Sequence, residues 1–315
     1  MGSLLDIQSL SVSFGGVPVV RGLDLRLEKG RTMCLVGESG SGKSMTAFSI
    51  MRLVPEPGRI EAESLLFDGE DLLKLPEKAM RSRRGRDISM IFQEPMTSLN
   101  PVLRIGRQIA EPLELHQGLS RREALAKAVE LMSLVGIPDA ANRLNDWPHQ
   151  FSGGMRQRVM IAMALACSPR LLLADEPTTA LDITIQGQIL RLLSRLARER
   201  DMAVLLITHD LGVVAEAADD VAVMYAGELV EQAPAVEFFA RPLHPYSQGL
   251  MACAPLVGNH DARRLPSIPG MVPLPSELPE GCCFGPRCPH FEERCRQKQE
   301  LREAATGHAV RCWKS

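Results

Sequence analysis

The chain has 315 residues, 45% hydrophobic and 23% charged, with a formal net charge of −2. That size suggests one large domain or two smaller ones, and the balance is ordinary for a globular protein. A charge so near zero excludes the basic field that would argue for nucleic acid. The densest basic run, Arg81, Arg83, Arg84 and Arg86, reads as a solvated loop or helix end. Met1–Leu10 lacks the basic start and apolar core of a signal peptide. The longest apolar run, Val159–Cys167, falls short of the ~20 residues that span a bilayer. The chain is therefore expected in the cytosol, reaching a membrane only through a protein partner.

Leu4–Phe14 reads as a first strand, closed by a turn at Gly15–Pro18, and the alternation Leu23, Leu25, Leu27 reads as a second strand with one buried face. Lys29–Gly30 turns into a buried strand, Thr32–Val36. The next eight residues, Gly37-Glu38-Ser39-Gly40-Ser41-Gly42-Lys43-Ser44, match the phosphate-cradling loop in full. Gly37, Gly40 and Gly42 let the backbone curl with its N–H groups inward, and no side chain stands in the way. Lys43 supplies charge for the β- and γ-phosphates, and Ser44 places a hydroxyl on Mg²⁺. A helix over Met45–Leu53 adds its positive dipole end.

After a break at Pro55, Pro57 and Gly58, Leu65–Phe67 and Ile88–Phe92 read as short strands, the second followed by Gln93. From about Glu94 to Gln150 the character turns helical, as in an inserted subdomain. Ser120 to Glu123 forms a capping box. It opens a helix with Leu125, Val129, Leu131, Met132 and Val135 on its apolar side, ended by Gly136. In Phe151-Ser152-Gly153-Gly154-Met155, a serine and two glycines open a mostly apolar helix, Gly153–Cys167. Such an opening is an anion site of backbone N–H groups or, equally, an ordinary helix cap.

Leu171–Ala174 is a core strand ending in Asp175 and Glu176. There a carboxylate can reach the Mg²⁺ held by Ser44, and Glu176 is placed to polarise an attacking water. An amphipathic helix, Ile183–Arg198, and strands at Ala203–Ile207 and Val221–Met224 follow. Gln93 and His209 sit at strand ends, where a polar side chain can reach the γ-phosphate or the water near it. Strands alternating with helices imply a mostly parallel sheet covered on both faces.

Beyond about Arg241 prolines recur, so an irregular appended segment is expected. Of eight cysteines, Cys34, Cys167 and Cys253 are isolated, whereas Cys282, Cys283, Cys288, Cys295 and Cys312 crowd into the last 34 residues. In a reducing compartment that clustering favours metal over disulfides.

Over residues 1 to about 240 this set resembles the ATP-binding subunit of an ABC transporter. The fold implied is an α/β P-loop NTPase of the ABC ATPase type, residues 1–240, with an N-terminal antiparallel β-subdomain and a helical subdomain inserted at about 94–150. An irregular cysteine-rich extension, 241–315, follows. The resemblance makes residues 37–44 the Walker A motif, Gln93 the Q-loop, Ser152, Gly153 and Gly154 the signature and Leu171–Asp175 the Walker B motif. Glu176 becomes the catalytic acid, Ala180-Leu181-Asp182 the D-loop and His209 the H-loop. Phe14 would stack on adenine, and Ser44, Gln93 and Asp175 would hold Mg²⁺. Two departures stand out: Phe151 and Met155 flank the signature where the family usually has Leu and Gln, and Phe14 replaces a commoner Tyr.

His244-Pro245-Tyr246, the cysteine-rich Gly281–Pro289 and the run Glu94–Pro101 resemble the peptide and nickel importer branch, nearest the D-type subunits of dipeptide and oligopeptide permeases. This implies ATP sandwiched between this chain and a second, homologous ATPase. Two membrane-spanning permeases and an extracytoplasmic binding protein would complete the machine, with this chain peripheral at the cytoplasmic face of the inner membrane. Uptake of di- and oligopeptides is expected. Import of nickel or another small solute is the alternative, and a soluble ABC ATPase acting on DNA or ribosomes the remoter one. Cys282, Cys288, Cys295 and Cys312 are separated by five, six and sixteen residues. They are expected to bind a [4Fe–4S] cluster, which takes four thiolates. Zinc, which usually brings two close pairs, and no metal at all are the alternatives, and Cys283 is left as a free thiol.

Overall fold

The computed structural model describes residues 3–94, 98–178, 183–254 and 267–315. Strands β1 (Ser3–Phe14), β2 (Val17–Glu28) and β3 (Thr32–Val36) lead to helix α1 (Lys43–Ile50). Next come β4 (Gly58–Glu61), β5 (Ser64–Phe67), β6 (Glu70–Asp71), α2 (Glu77–Arg83) and β7 (Ile88–Ile91). Helices α3 (Ile105–Gln117), α4 (Arg121–Leu134), α5 (Ala140–Arg143) and α6 (Gly153–Leu165) precede β8 (Leu171–Asp175). After α7 (Ile183–Glu199), β9 (Ala203–Thr208) and α8 (Leu211–Ala217) come β10 (Asp220–Tyr225), β11 (Glu228–Pro234), α9 (Ala235–Ala240) and α10 (Pro245–Cys253). A hairpin, β12 (Arg302–Ala305) and β13 (His308–Val310), ends the order. The chain divides into two compact units, residues 1–28, 32–73 and 207–315, and residues 29–31 and 74–206.

In the first unit, β1 pairs antiparallel with β2, β4 and β5, and β5 with β6. Leu23, Leu25 and Leu27 are buried while Asp24, Arg26 and Glu28 are exposed, the period-2 alternation of a sheet with one dry face. A second sheet runs β12-β13-β11-β10-β3, parallel at β10/β3 and antiparallel elsewhere. Every residue of β3 is buried, as an inner parallel strand requires.

In the second unit β7 and β8 pair in parallel, Ile88 with Leu171 through Ile91 with Ala174, and Ala203–Leu206 of β9 continues the order. The capping box forms: Glu123 N–H donates to Ser120 Oγ at 3.4 Å and Ser120 N–H to Glu123 Oε2 at 2.9 Å. The buried stripe of α4 is Ala124, Ala128, Leu131 and Met132, with Val135 at the C-cap. Leu125 and Val129, expected on the apolar face, are only half-buried, because the two small alanines let the neighbouring helices approach on their side.

Two expectations are corrected and one is borne out. Helix α1 starts at Lys43 rather than Met45 and stops at Ile50 rather than Leu53, since Gly42 is itself the N-cap and Arg52 turns left-handed with φ of 50°. The basic run is, as expected, a helix end, that of α2, with Arg83 and Arg86 paired to Asp87 and Arg84 to Glu77. The tail is not simply irregular. Pro245 occupies the first turn of α10, where its missing N–H is no loss. The β12/β13 hairpin adds to the edge of β11, with Gln232 opposite Ala309. Its strands carry little apolar pattern, all of β12 being exposed, so pairing with an existing edge is what makes them strands.

Candidate nucleotide-binding site

In the first unit, β3 runs straight into the loop of residues 37–44. Gly37 has φ of 152°, and a Cβ there would lie 2.1 Å from Met224 O. Gly42 has φ of 98°, and its Cβ would lie 2.7 Å from Val19 O. Both positions exclude any side chain. Lys43 is only 6% exposed. Its ammonium donates to Gly37 O at 2.8 Å, Glu38 O at 2.9 Å and Ser41 Oγ at 3.3 Å. Ser39 and Gly40 are exposed, and Ser44 is half-buried in the first turn of α1.

Glu38 is the member of the loop whose placement the sequence did not announce. Its N–H donates to Tyr246 Oη at 2.8 Å. Its carboxylate accepts from Arg287 Nη1 at 2.8 Å and Nη2 at 3.1 Å. Arg287, 249 residues away along the chain, carries no local signal that sequence reasoning could have used.

Also in this unit, His209 is exposed just after β9. The next residue, Asp210, caps α8 by accepting from Gly212 N–H at 2.8 Å. Phe14, half-buried, ends β1 opposite Gly58 of β4, where a Cβ would approach its ring to 2.8 Å.

In the second unit, Asp175 is the last residue of β8 and 3% exposed. Glu176 follows with φ of 45°. Gln93 Nε2 donates to Glu176 Oε2 at 3.1 Å, so two of the expected site residues stand together. Ser152 is the N-cap of α6, accepting Met155 N–H at 3.4 Å, with Gly153 and Gly154 in the first turn. Ser152 and Gly153 are exposed. Phe151 is buried with the Arg143 guanidinium 5.6 Å from its ring centroid. The unusual residue thus anchors the motif from the core and leaves Ser-Gly-Gly at the surface. Ala180, Leu181 and Asp182 lie outside the described residues, as do Pro95, Met96 and Thr97 of the run Glu94–Pro101.

Around the tail cysteines a cavity of about 20 Å³ is lined by Cys282, Cys288, Cys295 and Cys312 together. Nitrogen donors already face the sulfurs: Trp313 Nε1 at 3.2 Å and Glu292 N at 3.5 Å from Cys295 Sγ, and backbone amides of Phe284 and Gly285 toward Cys282. Burial pushes the Cys282 thiol up to about 11. Among the described residues, no three His, Cys, Asp or Glu side chains are grouped so as to hold a single metal ion. The cavity has room for one water, so the thiols must part to admit anything larger. Cys283 does not line it: its thiol donates to Glu228 Oε2 at 3.0 Å and accepts from Arg21, which is ion-paired to Glu228 at 3.2 Å.

The family described as ABC transporter matches residues 20–179, and the one described as Oligopeptide/dipeptide transporter, C-terminal region, matches residues 230–299. Over 99% of its length the chain is 52% identical to 95% of a Sinorhizobium fredii protein, "Probable peptide ABC transporter ATP-binding protein y4tR". The chain belongs to the ABC transporter family of ATP-binding proteins. This ABC ATPase is also 49% identical, over 99% of its length, to 93% of the oligopeptide transport ATP-binding protein OppD of Salmonella typhimurium. Its fold matches the dimeric structure of the ATP-binding cassette MJ0796 bound to ADP and Pi, with a TM-score of 0.65 and 27% identity over 73% of this chain and 98% of that one. The ABC ATPase is thus an α/β P-loop protein whose cassette is built for ATP. Among its described residues no helix is long and apolar enough to cross a membrane.

Proposed function

We propose that this ABC ATPase hydrolyses ATP to drive the import of di- and oligopeptides. The observation that carries the reading is the tail. The peptide-transporter C-terminal region matches residues 230–299, and relatives named for peptide transport align over nearly the whole chain. A nickel or other small-solute importer is the second reading, because the ATPase does not touch the solute. The chain would work as a cassette, 1–240, with a helical subdomain at about 94–150 and a peptide-importer extension, 241–315. It would pair with a second homologous ATPase and two membrane-spanning permeases, peripheral at the cytoplasmic face, with an extracytoplasmic binding protein delivering the solute.

The residues take the roles their chemistry suits. The 37–44 loop holds phosphates through its amides and Lys43, and Phe14 offers a ring to the adenine. Ser152, Gly153 and Gly154 present a helix N-terminus to a phosphate, and the family resemblance assigns Asp182, outside the described residues, to the D-loop. Ser44, Gln93 and Asp175 are hard oxygen donors of the kind Mg²⁺ takes, and the bound ion supplies charge neutralisation on the phosphates. Glu176 orients and deprotonates the attacking water with Gln93 bonded to it, and His209 is the polar strand-end group suited to the γ-phosphate.

For the cysteines, four thiols lining one cavity, with N–H donors facing Cys282 and Cys295, are the observation behind the [4Fe–4S] reading. Among the described residues no three donors are grouped for a single ion and the cavity has room for one water, so either a cluster or zinc would require the thiols to move. The decisive experiment is peptide uptake by vesicles carrying the assembled transporter. Uptake should require ATP and vanish in Lys43→Ala; uptake of nickel but not peptide would favour the second reading.

A further inference from the structure

Glu38 is the second residue of the phosphate loop, and both of its polar ends are committed to the tail. Tyr246 Oη accepts its N–H at 2.8 Å, and Arg287 grips its carboxylate with a two-pronged fork at 2.8 and 3.1 Å. Neither partner is a loose surface group. Arg287 is 5% exposed and Glu38 28%. The guanidinium is fixed by further bonds, Nε to Pro269 O at 2.8 Å and Nη1 to Tyr225 Oη at 3.3 Å. Tyr246 is fully buried, its ring 4.7 Å from Tyr225 and 5.4 Å from Phe284. Tyr225 ends β10, whose Val223 pairs with Val36 immediately before the loop. The tail is therefore anchored at the base of the loop as well as on its second residue.

A loop with glycines at 37, 40 and 42, all at positive φ, loses much conformational freedom when ordered. Glu38 also places a negative charge in a loop meant for a triphosphate. A part-buried fork answers both problems, because it fixes the carboxylate in one plane and neutralises it where salt screens less than at the open surface.

We propose that Arg287 and Tyr246 are positioning residues for ATP: through Glu38 the tail holds the phosphate loop in its nucleotide-binding shape and cancels the charge that would repel the triphosphate. The proposal rests on reading residues 37–44 as the ATP loop. Apparent affinity falls in proportion to the fraction of loops in the competent shape. Loosening the clamp therefore raises the Kd and KM for ATP and leaves kcat, which is set elsewhere, nearly unchanged.

The test titrates the full chain with a fluorescent ATP analogue and measures ATPase kinetics in the assembled transporter. Tyr246→Phe keeps the ring packing and deletes only the acceptor. Arg287→Gln deletes the charge, and Arg287→Lys restores charge without the fork. Arg287→Gln should raise the Kd and KM about tenfold, as loss of a charge-assisted fork implies, with kcat within about twofold of wild type; Lys should recover part of the loss and Tyr246→Phe should show a smaller rise. In a Glu38→Gln background, Arg287→Gln should add little, because the charge it neutralised is gone. Equal effects of Arg287→Gln with and without Glu38, or an unchanged Kd and KM in folded Arg287→Gln and Tyr246→Phe, would overturn the clamp. Lys43→Ala separates the two readings: it should abolish binding if the loop holds ATP, whatever the clamp variants do.

Discussion

Gln93 and Glu176 are joined by a 3.1 Å hydrogen bond, and each lies two residues beyond the last β7/β8 pair, Ile91 with Ala174. Parallel register delivers both to the same level past the strand ends, where open α/β sheets bind their ligands. Glu176 holds a left-handed φ of 45°, a conformation that costs a non-glycine residue about 1–3 kcal/mol and gathers at functional sites. Glu176→Gln should keep the hydrogen bond and the fold but remove the base. Turnover in the assembled transporter should drop about 10²–10⁴-fold while nucleotide still binds, as a titration would show. Turnover within about threefold of wild type would remove Glu176 from the chemistry.

The loop glycines are not equivalent. Gly37→Ala would drive a Cβ to 2.1 Å from Met224 O, whereas a Cβ on Gly40 meets nothing within 4 Å. Gly37→Ala should lower unfolding stability by about 2–4 kcal/mol or displace β10, with nucleotide binding lost. Gly40→Ala should bear only the positive-φ strain, about 1 kcal/mol. Paired denaturant melts of the two variants check the ordering.

Stability should fall on the acid side through His244. Burial, with Arg311 nearby, pushes its imidazole down to about 3, against about 6.5 in an unfolded chain. The folded state needs the neutral ring, because Nδ1 accepts Tyr246 N–H at 3.1 Å to cap α10. Between these values the unfolded chain binds a proton that the folded one refuses. The stability is whole above about pH 6.5 and is lost progressively as pH falls toward 3. His244→Asn keeps a capping acceptor and should flatten the dependence of the denaturation midpoint between pH 5 and 7; an unaltered slope there would clear His244.

The cysteines can be sorted by metal analysis. Chain purified without oxygen should be brown and carry iron and sulfide in equal amounts. Cys288→Ser should lose them, and Cys283→Ser, whose thiol is turned to Arg21 and Glu228, should keep them. Colourless protein with stoichiometric zinc would replace the cluster by a zinc site.

What the sequence determined by itself is what one strand, one turn and one helix can encode. The loop at 37–44, the carboxylates ending Leu171–Asp175, the Ser120–Glu123 cap and the serine that caps α6 are each written within a few consecutive residues. Backbone preference and side-chain period act at that range. Tertiary structure decided the rest. It brought Gln93 to Glu176 across 83 residues and Arg287 to Glu38 across 249. It made strands of 302–305 and 308–310 by giving them the edge of β11, and it chose Ala124 and Ala128 over Leu125 and Val129 for the buried side of α4. None of these has a local signature. A fork between arginine and carboxylate, or a strand without apolar alternation, is stable only when the chain path has already brought its partner within hydrogen-bonding distance.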